Sequence, residues 1–129
     1  MAVQLATVRE TGAAKAKEVR EAVEFRVDVT RERGAVRVCP VGELDMATIA
    51  RLRVQLDEAM ASGAGPVILD LRETTFLDSS ALHLAVEAHN RAVRDGTGFA
   101  IIPGPPLVQR AFNIAGLSDR LPFVDVPRG

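Results

Sequence analysis

Asp78, Ser79 and Ser80 stand inside TFLDSSALHLAVEAHNRA (residues 75–92), where an apolar, strand-like stretch passes directly into a helix-forming one. An acid followed by two hydroxyls at such a junction is open to two chemistries. The first is local: Asp and Ser oxygens accept backbone N–H groups that the first helical turn leaves unpaired. One cap needs one such residue, and here there are three. The second is modification, because a helix start, with unpaired N–H groups and the positive end of the dipole, accommodates an added phosphate.

Catalytic arrangements around the same residues fail on spacing. Ser79 and His83 are four apart and could touch on a helix surface, but Leu-Asp-Ser-Ser-Ala is not a Gly-x-Ser-x-Gly elbow. Asp78, next to the serine in sequence, is badly placed to orient an imidazole on the next turn. His83 and His89 are six apart, about 240° around a helix, so one face cannot offer both to a metal. The chain holds no G-x-x-x-x-G-K-[ST] loop, G-x-G-x-x-G or H-E-x-x-H. The expectation is a protein with no catalytic residue, no metal site and no cofactor.

The bulk properties narrow the partners. The 129 residues carry a net charge of −1 with acids and bases interspersed, which gives no general attraction for nucleic acid or anionic membrane. The aromatics are five Phe, with no Trp or Tyr, so stacking platforms for single-stranded nucleic acid are absent as well. Cys39 is the single cysteine, which excludes a disulfide framework and suits a reducing compartment. The N-terminal residues are broken by Arg9, Glu10, Lys15 and Lys17 and form no signal-peptide core. No apolar run is long enough to cross a bilayer. A cytoplasmic protein with neither nucleic-acid binding nor membrane insertion is expected.

The elements that must position residues 78–80 follow from periodicity. Residues 1–22, rich in Ala and charge, form an N-terminal extension, either an arm or a loosely docked helix, ahead of one domain at residues 23–129. FRVDVTRER alternates, with Phe25, Val27 and Val29 on one half-buried face. Gly34 turns the chain into a second strand, AVRVCPVGELD, where Pro40 demands a bulge or a solvent-facing ladder edge. MATIARLRVQLDEAMASGAG places Ile49, Leu52, Leu56, Ala59 and Met60 at helical spacing and ends in Gly63. PVILDL reads as a strand buried on both faces at the centre of the sheet. The Asp-Ser-Ser helix follows, then strand FAIIP, helix PPLVQRAFNIAGL with Pro in its first turn, and a last strand LPFVDV. The fold class is α/β, a single domain with a mixed sheet of about four to five strands and helices packed on it.

VILDLRETTFLDSSALHLAVEAHNRA resembles the segment of STAS domains in which a buried strand and an apolar-Asp-Ser-Ser/Thr-Gly-Leu junction lead into the second helix. VGELDMATIARLRVQLDEAM is similar to that family's Gly-Glu-Leu-Asp element and first helix, and VQRAFNIAGLSDRLPF to its late helix and final strand. The likeness spans roughly residues 23–126, and chains of this kind resemble anti-sigma factor antagonists. The resemblance implies a switch. The unphosphorylated antagonist binds an anti-sigma factor that is also a Ser/Thr kinase and so frees a sigma factor; phosphorylation turns it off, and a Ser phosphatase restores it. By position Ser79 is then the phosphoacceptor, Asp78 its neighbour, Ser80 a helix-capping partner, and Asp45 an acidic residue near the kinase-binding surface; these four form the expected partner-binding site.

Three features depart from the family pattern. Ala81 stands where the family has glycine, residues 1–22 are additional, and the usual last helix is missing after VPRG. The alternative is a STAS module that binds constitutively in a signalling scaffold or transport complex, with Ser79 never phosphorylated. Without the resemblance, Asp78 and Ser79 read as caps and Asp45 as a helix-start residue.

Overall fold

A computed structural model describes residues 24–125 of the chain; the expected extension at 1–22 lies outside the described residues. The elements run β1 (Arg26–Glu32), β2 (Ala35–Leu44), α1 (Ile49–Ser62), β3 (Val67–Asp70), β4 (Thr74–Leu77), α2 (Ser79–Asp95), β5 (Phe99–Ile102) and α3 (Pro106–Ile114). They form one five-stranded mixed sheet in the order β1-β2-β3-β5, with β4 also paired to β2. The β1–β2 hairpin is antiparallel, and the remaining pairings are parallel. The expected α/β class and strand number hold.

Strand β2 organises the sheet, because its ten residues change partner partway along. On one side Ala35–Val41 pair with β1; on the other, Val36–Val38 pair with β3 and Gly42–Leu44 with β4. Pro40 falls in the gap between those two partners. Its missing N–H would point to the side where β3 has ended and β4 has not begun, and its carbonyl, on that same side, accepts the Thr74 hydroxyl at 3.0 Å. Pro40 is buried rather than solvent-facing, and the ladder irregularity lies two residues on, between Gly42 and Glu43. The proline is tolerated inside the sheet because a partner switch leaves one position without a ladder bond.

Alternation then separates two faces. Val36, Val38, Val67, Leu69 and Ile101 join Leu52 and Leu56 of α1, Leu84, Ala85 and Ala88 of α2, and Val108 and Phe112 of α3 in one buried cluster. The other face carries Arg37, Cys39, Ile68, Asp70 and Ala100, and none of the described helices covers it. Asp70, 1% exposed, accepts from Arg37 Nη1 at 2.9 Å and from Arg72 Nη2 at 2.8 Å. Burial alone would raise its carboxyl pKa; the bonds from the Arg72 side chain and backbone and from Arg37 outweigh that and hold it below the ordinary carboxylate range.

Four sequence expectations change. Helix α1 starts at Ile49 rather than Met46, because residues 45–48 close a turn of their own first. PVILDL is a short strand, β3, ending at Asp70, and the strand-like stretch before the Asp-Ser-Ser junction is a strand of its own, β4, which adds one element to the expected order. LPFVDV makes only one bridge among the described residues, Phe123 to Ile101, since Pro122 has no N–H with which to extend a ladder. Phe123 instead packs edge-on against Phe112, ring centres 5.1 Å apart. Val29 is 40% exposed, because the edge strand has a neighbour on one side only.

Thr74 is fully buried, so its hydroxyl provides the partner that the Pro40 carbonyl would otherwise lack. Thr74→Val keeps the shape and strand preference but removes that donor, and should cost about 1–2 kcal/mol. Urea unfolding measures it; an unchanged midpoint would show that the Pro40 carbonyl needs no partner.

Candidate functional site

The switch of β2 to β4 sets Leu44 beside Leu77, so the chain leaves the sheet twice at neighbouring points, once into the turn before α1 and once into α2. Asp78 joins the two exits. Its backbone N–H donates to the Leu44 carbonyl at 3.2 Å. One carboxylate oxygen, Oδ1, accepts the Ser80 N–H at 3.0 Å and the Ser80 hydroxyl at 2.5 Å. The other, Oδ2, accepts the Met46 N–H at 3.2 Å. Of the three expected cap candidates the helix uses Asp78, in the extended conformation usual for that position.

This bonding pattern divides the two serines. Ser80 is half-buried and its hydroxyl is committed to Asp78. Ser79, the first residue of α2, is exposed, and the carboxylate beside it bonds elsewhere. Ala81, where the STAS pattern has glycine, is 4% exposed and belongs to the core cluster, so the first turn of α2 is pinned from beneath.

Asp45 acts on the neighbouring turn. Its Oδ1 accepts the Ala47 N–H at 2.9 Å and the Thr48 N–H at 3.2 Å, and the Thr48 hydroxyl oxygen accepts the Asp45 N–H at 3.0 Å. This reciprocal pairing resembles a capping box, and the Ile49 N–H bonds to the Asp45 carbonyl at 2.8 Å. Asp45 is thus a helix-start residue in structure, placed one residue from the Met46 N–H that Asp78 holds. The fold brings Asp45, Asp78, Ser79 and Ser80 to one end of the sheet. Met46, 81% exposed, is the residue of this site that sequence reasoning placed inside a helix. Its position directly after the Gly-Glu-Leu-Asp element was the available signal.

The Ser80 hydroxyl foremost, with the backbone N–H groups of Ser80, Ala81 and Met46, holds the Asp78 carboxyl below the ordinary carboxylate range against the opposing effect of desolvation. The Asp78 carboxylate is occupied as an acceptor, and His83 is an exposed helix residue. Among the described residues no group of His, Cys, Asp and Glu could hold a metal, and no helix is long and apolar enough to cross a membrane.

Comparison with known proteins concerns the fold as a whole. The family model described as the STAS domain matches residues 26–126. An anti-sigma F factor antagonist of Paenibacillus polymyxa is 28% identical over 104 residues, 80% of this chain and 89% of that protein. The solved anti-sigma factor antagonist of Mycobacterium paratuberculosis superposes with a TM-score of 0.71 at 24% identity, over 78% of this chain and 85% of that one. The antagonist SpoIIAA has been solved unphosphorylated, with a TM-score of 0.65, 22% identity and coverage of 81% and 90%. The phosphorylated form, from Bacillus, gives a TM-score of 0.61, 21% identity and coverage of 81% and 93%.

Asp78→Asn retains one cap oxygen but cannot serve both Ser80 and Met46, and should lower stability by about 1 kcal/mol at neutral pH. The folded pKa of Asp78 lies below an unfolded value of about 3.9. Its contribution is therefore complete above about pH 4 and is lost as pH falls through the folded value. Urea unfolding of parent and variant at neutral pH and again well below pH 4 should show the gap closing; a gap that persists in acid would mean the charge is not what stabilises.

Proposed function

The chain belongs to the STAS domain family, and on that footing we propose that it is an anti-sigma factor antagonist, acting in the cytoplasm and switched at Ser79. While Ser79 is unmodified the protein binds an anti-sigma factor that is also a Ser/Thr kinase, and a sigma factor is released. The kinase then transfers phosphate to Ser79, the complex dissociates, and a Ser phosphatase reverses the modification. The observation that carries this reading is the division of the serines: Ser79 exposed at the first position of α2, Ser80 bound to Asp78. The antagonists among the relatives, and SpoIIAA in two phosphorylation states, support it.

The physical effect of the modification is large enough for a switch. A phosphoryl group brings about −1.5 to −2 charges at neutral pH. Against a partner carboxylate at roughly 5 Å and an effective dielectric near 20, each unit pair costs about 3 kcal/mol before screening. A net loss of about 2–4 kcal/mol weakens a complex roughly thirty- to thousandfold. Asp45 and Asp78, at the same end of the sheet, belong to the surface the kinase covers in this reading.

The burial of Ala81 favours the second reading, a STAS module that binds a scaffold or transport complex constitutively. A first turn pinned by a core methyl yields less readily to a kinase than one with glycine. Two measurements separate the readings. Phosphopeptide mapping after incubation with the cognate kinase and ATP should place phosphate on Ser79; phosphate on Ser80, or none, overturns the assignment. Calorimetry should show Ser79→Asp binding the kinase at least tenfold more weakly than Ser79→Ala, and equal affinities would select the constitutive binder.

A further inference from the structure

Asp78 ties α2 to a segment 32 residues away through two bonds, its own N–H on Leu44 and its Oδ2 on the Met46 N–H. We propose that Asp78 is a positioning residue that couples the state of Ser79 to the turn carrying Met46, so that a phosphate on Ser79 releases that turn as well as adding charge. The inference rests on the reading of Ser79 as a modified residue.

The argument is one of competing acceptors. The carboxylate now receives three hydrogen bonds, of which the one from Met46, at 3.2 Å, is the longest against 2.5 and 3.0 Å to Ser80. A phosphate on the adjacent residue is a second and more highly charged acceptor at the same helix start, where first-turn N–H groups favour anions. Like charge pushes the carboxylate away, and the bond that crosses to another segment has the least local support. The two bonds to Ser80 close over two residues of one turn, whereas the bond to Met46 depends on the relative placement of two loops. Loss of that bond unties the Met46 N–H from α2 and leaves its turn held by the Asp45–Thr48 bonds, so that the exposed Met46 shifts relative to Ser79.

The test needs no kinase. Full-length protein with phosphoserine installed at position 79 during synthesis is compared with the parent by solvent-exchange NMR. The Met46 amide should exchange roughly tenfold faster in the phosphoserine form, the loss of one hydrogen bond to a charged acceptor, while Val38 in the sheet stays within twofold. Asp78→Asn, which keeps a good cap residue, should already show the faster Met46 exchange, with less than a twofold further change on phosphorylation. Met46 exchange unaltered by phosphoserine overturns the proposal, as does a tenfold change that persists in Asp78→Asn or one shared equally by Val38. Failure of a kinase to modify Ser79 would count against the proposed function and leave this measurement unaffected.

Discussion

The change of partner along β2 is the constraint on which the site depends. A ten-residue strand that kept one neighbour would have left β4 elsewhere and the two loops apart. Because β3 ends at Asp70 and β4 takes up pairing at Gly42, the last residues of β2 and β4 lie side by side. The turns that follow them are then close enough for one carboxylate to serve both. The step in the ladder is closed by a buried side-chain hydrogen bond from Thr74 to the Pro40 carbonyl and by the Gly42 N–H on the Glu73 carbonyl. A proline, which would disrupt a continuous ladder, is placed where no ladder bond is due.

From that constraint the division of labour among the polar residues follows. Asp70 and Asp78 are both carboxylates held below their ordinary pKa by donors, yet they are built differently. Asp70 is enclosed by two arginines on the face that none of the described helices covers, and its oxygens are consumed in holding β2 to the end of β3. Asp78 is fastened by a hydroxyl and backbone N–H groups at the rim. Among the described residues no cation pairs with it, and its negative charge lies at the rim beside Ser79. The first arrangement is structural; the second sets a charge beside an exposed serine where another protein can reach them.

Much of this was legible from periodicity and residue type. The strands of the hairpin, the three helices, their glycine stops and the Asp cap are local features, set by spacing and by which side chains satisfy unpaired backbone groups. The site residues were legible only as a list. Nothing in the sequence spacing places Asp78 against Met46, because that contact depends on the register between β2 and β4 and hence on a ladder irregularity at Gly42. Met46 stands at the head of the segment read as a helix, MATIARLRVQLDEAMASGAG. The competing turn is closed by Asp45 and Thr48, and their reciprocal bonding outweighs the pattern. LPFVDV was read as a strand on composition, and one proline reduced it to a bridge.

A modification at this junction can alter binding strongly while leaving the fold in place, and the magnitudes show why. Within the protein, a phosphate on Ser79 would gain about 0.3–1 kcal/mol from the helix terminus. It would lose a comparable amount to the Asp78 carboxylate, since both groups are partly solvated and a unit pair in water at a few ångströms costs about 1 kcal/mol. The two nearly cancel, and beneath them Ala81 keeps its core contacts. At a protein interface the cancellation is removed: the helix terminus still acts only locally, while an opposing carboxylate is desolvated and its repulsion rises severalfold. The same charge is thus nearly neutral for folding and costly for association. That asymmetry comes from placing the hydroxyl at the first residue of a helix whose inner face is already committed to the core.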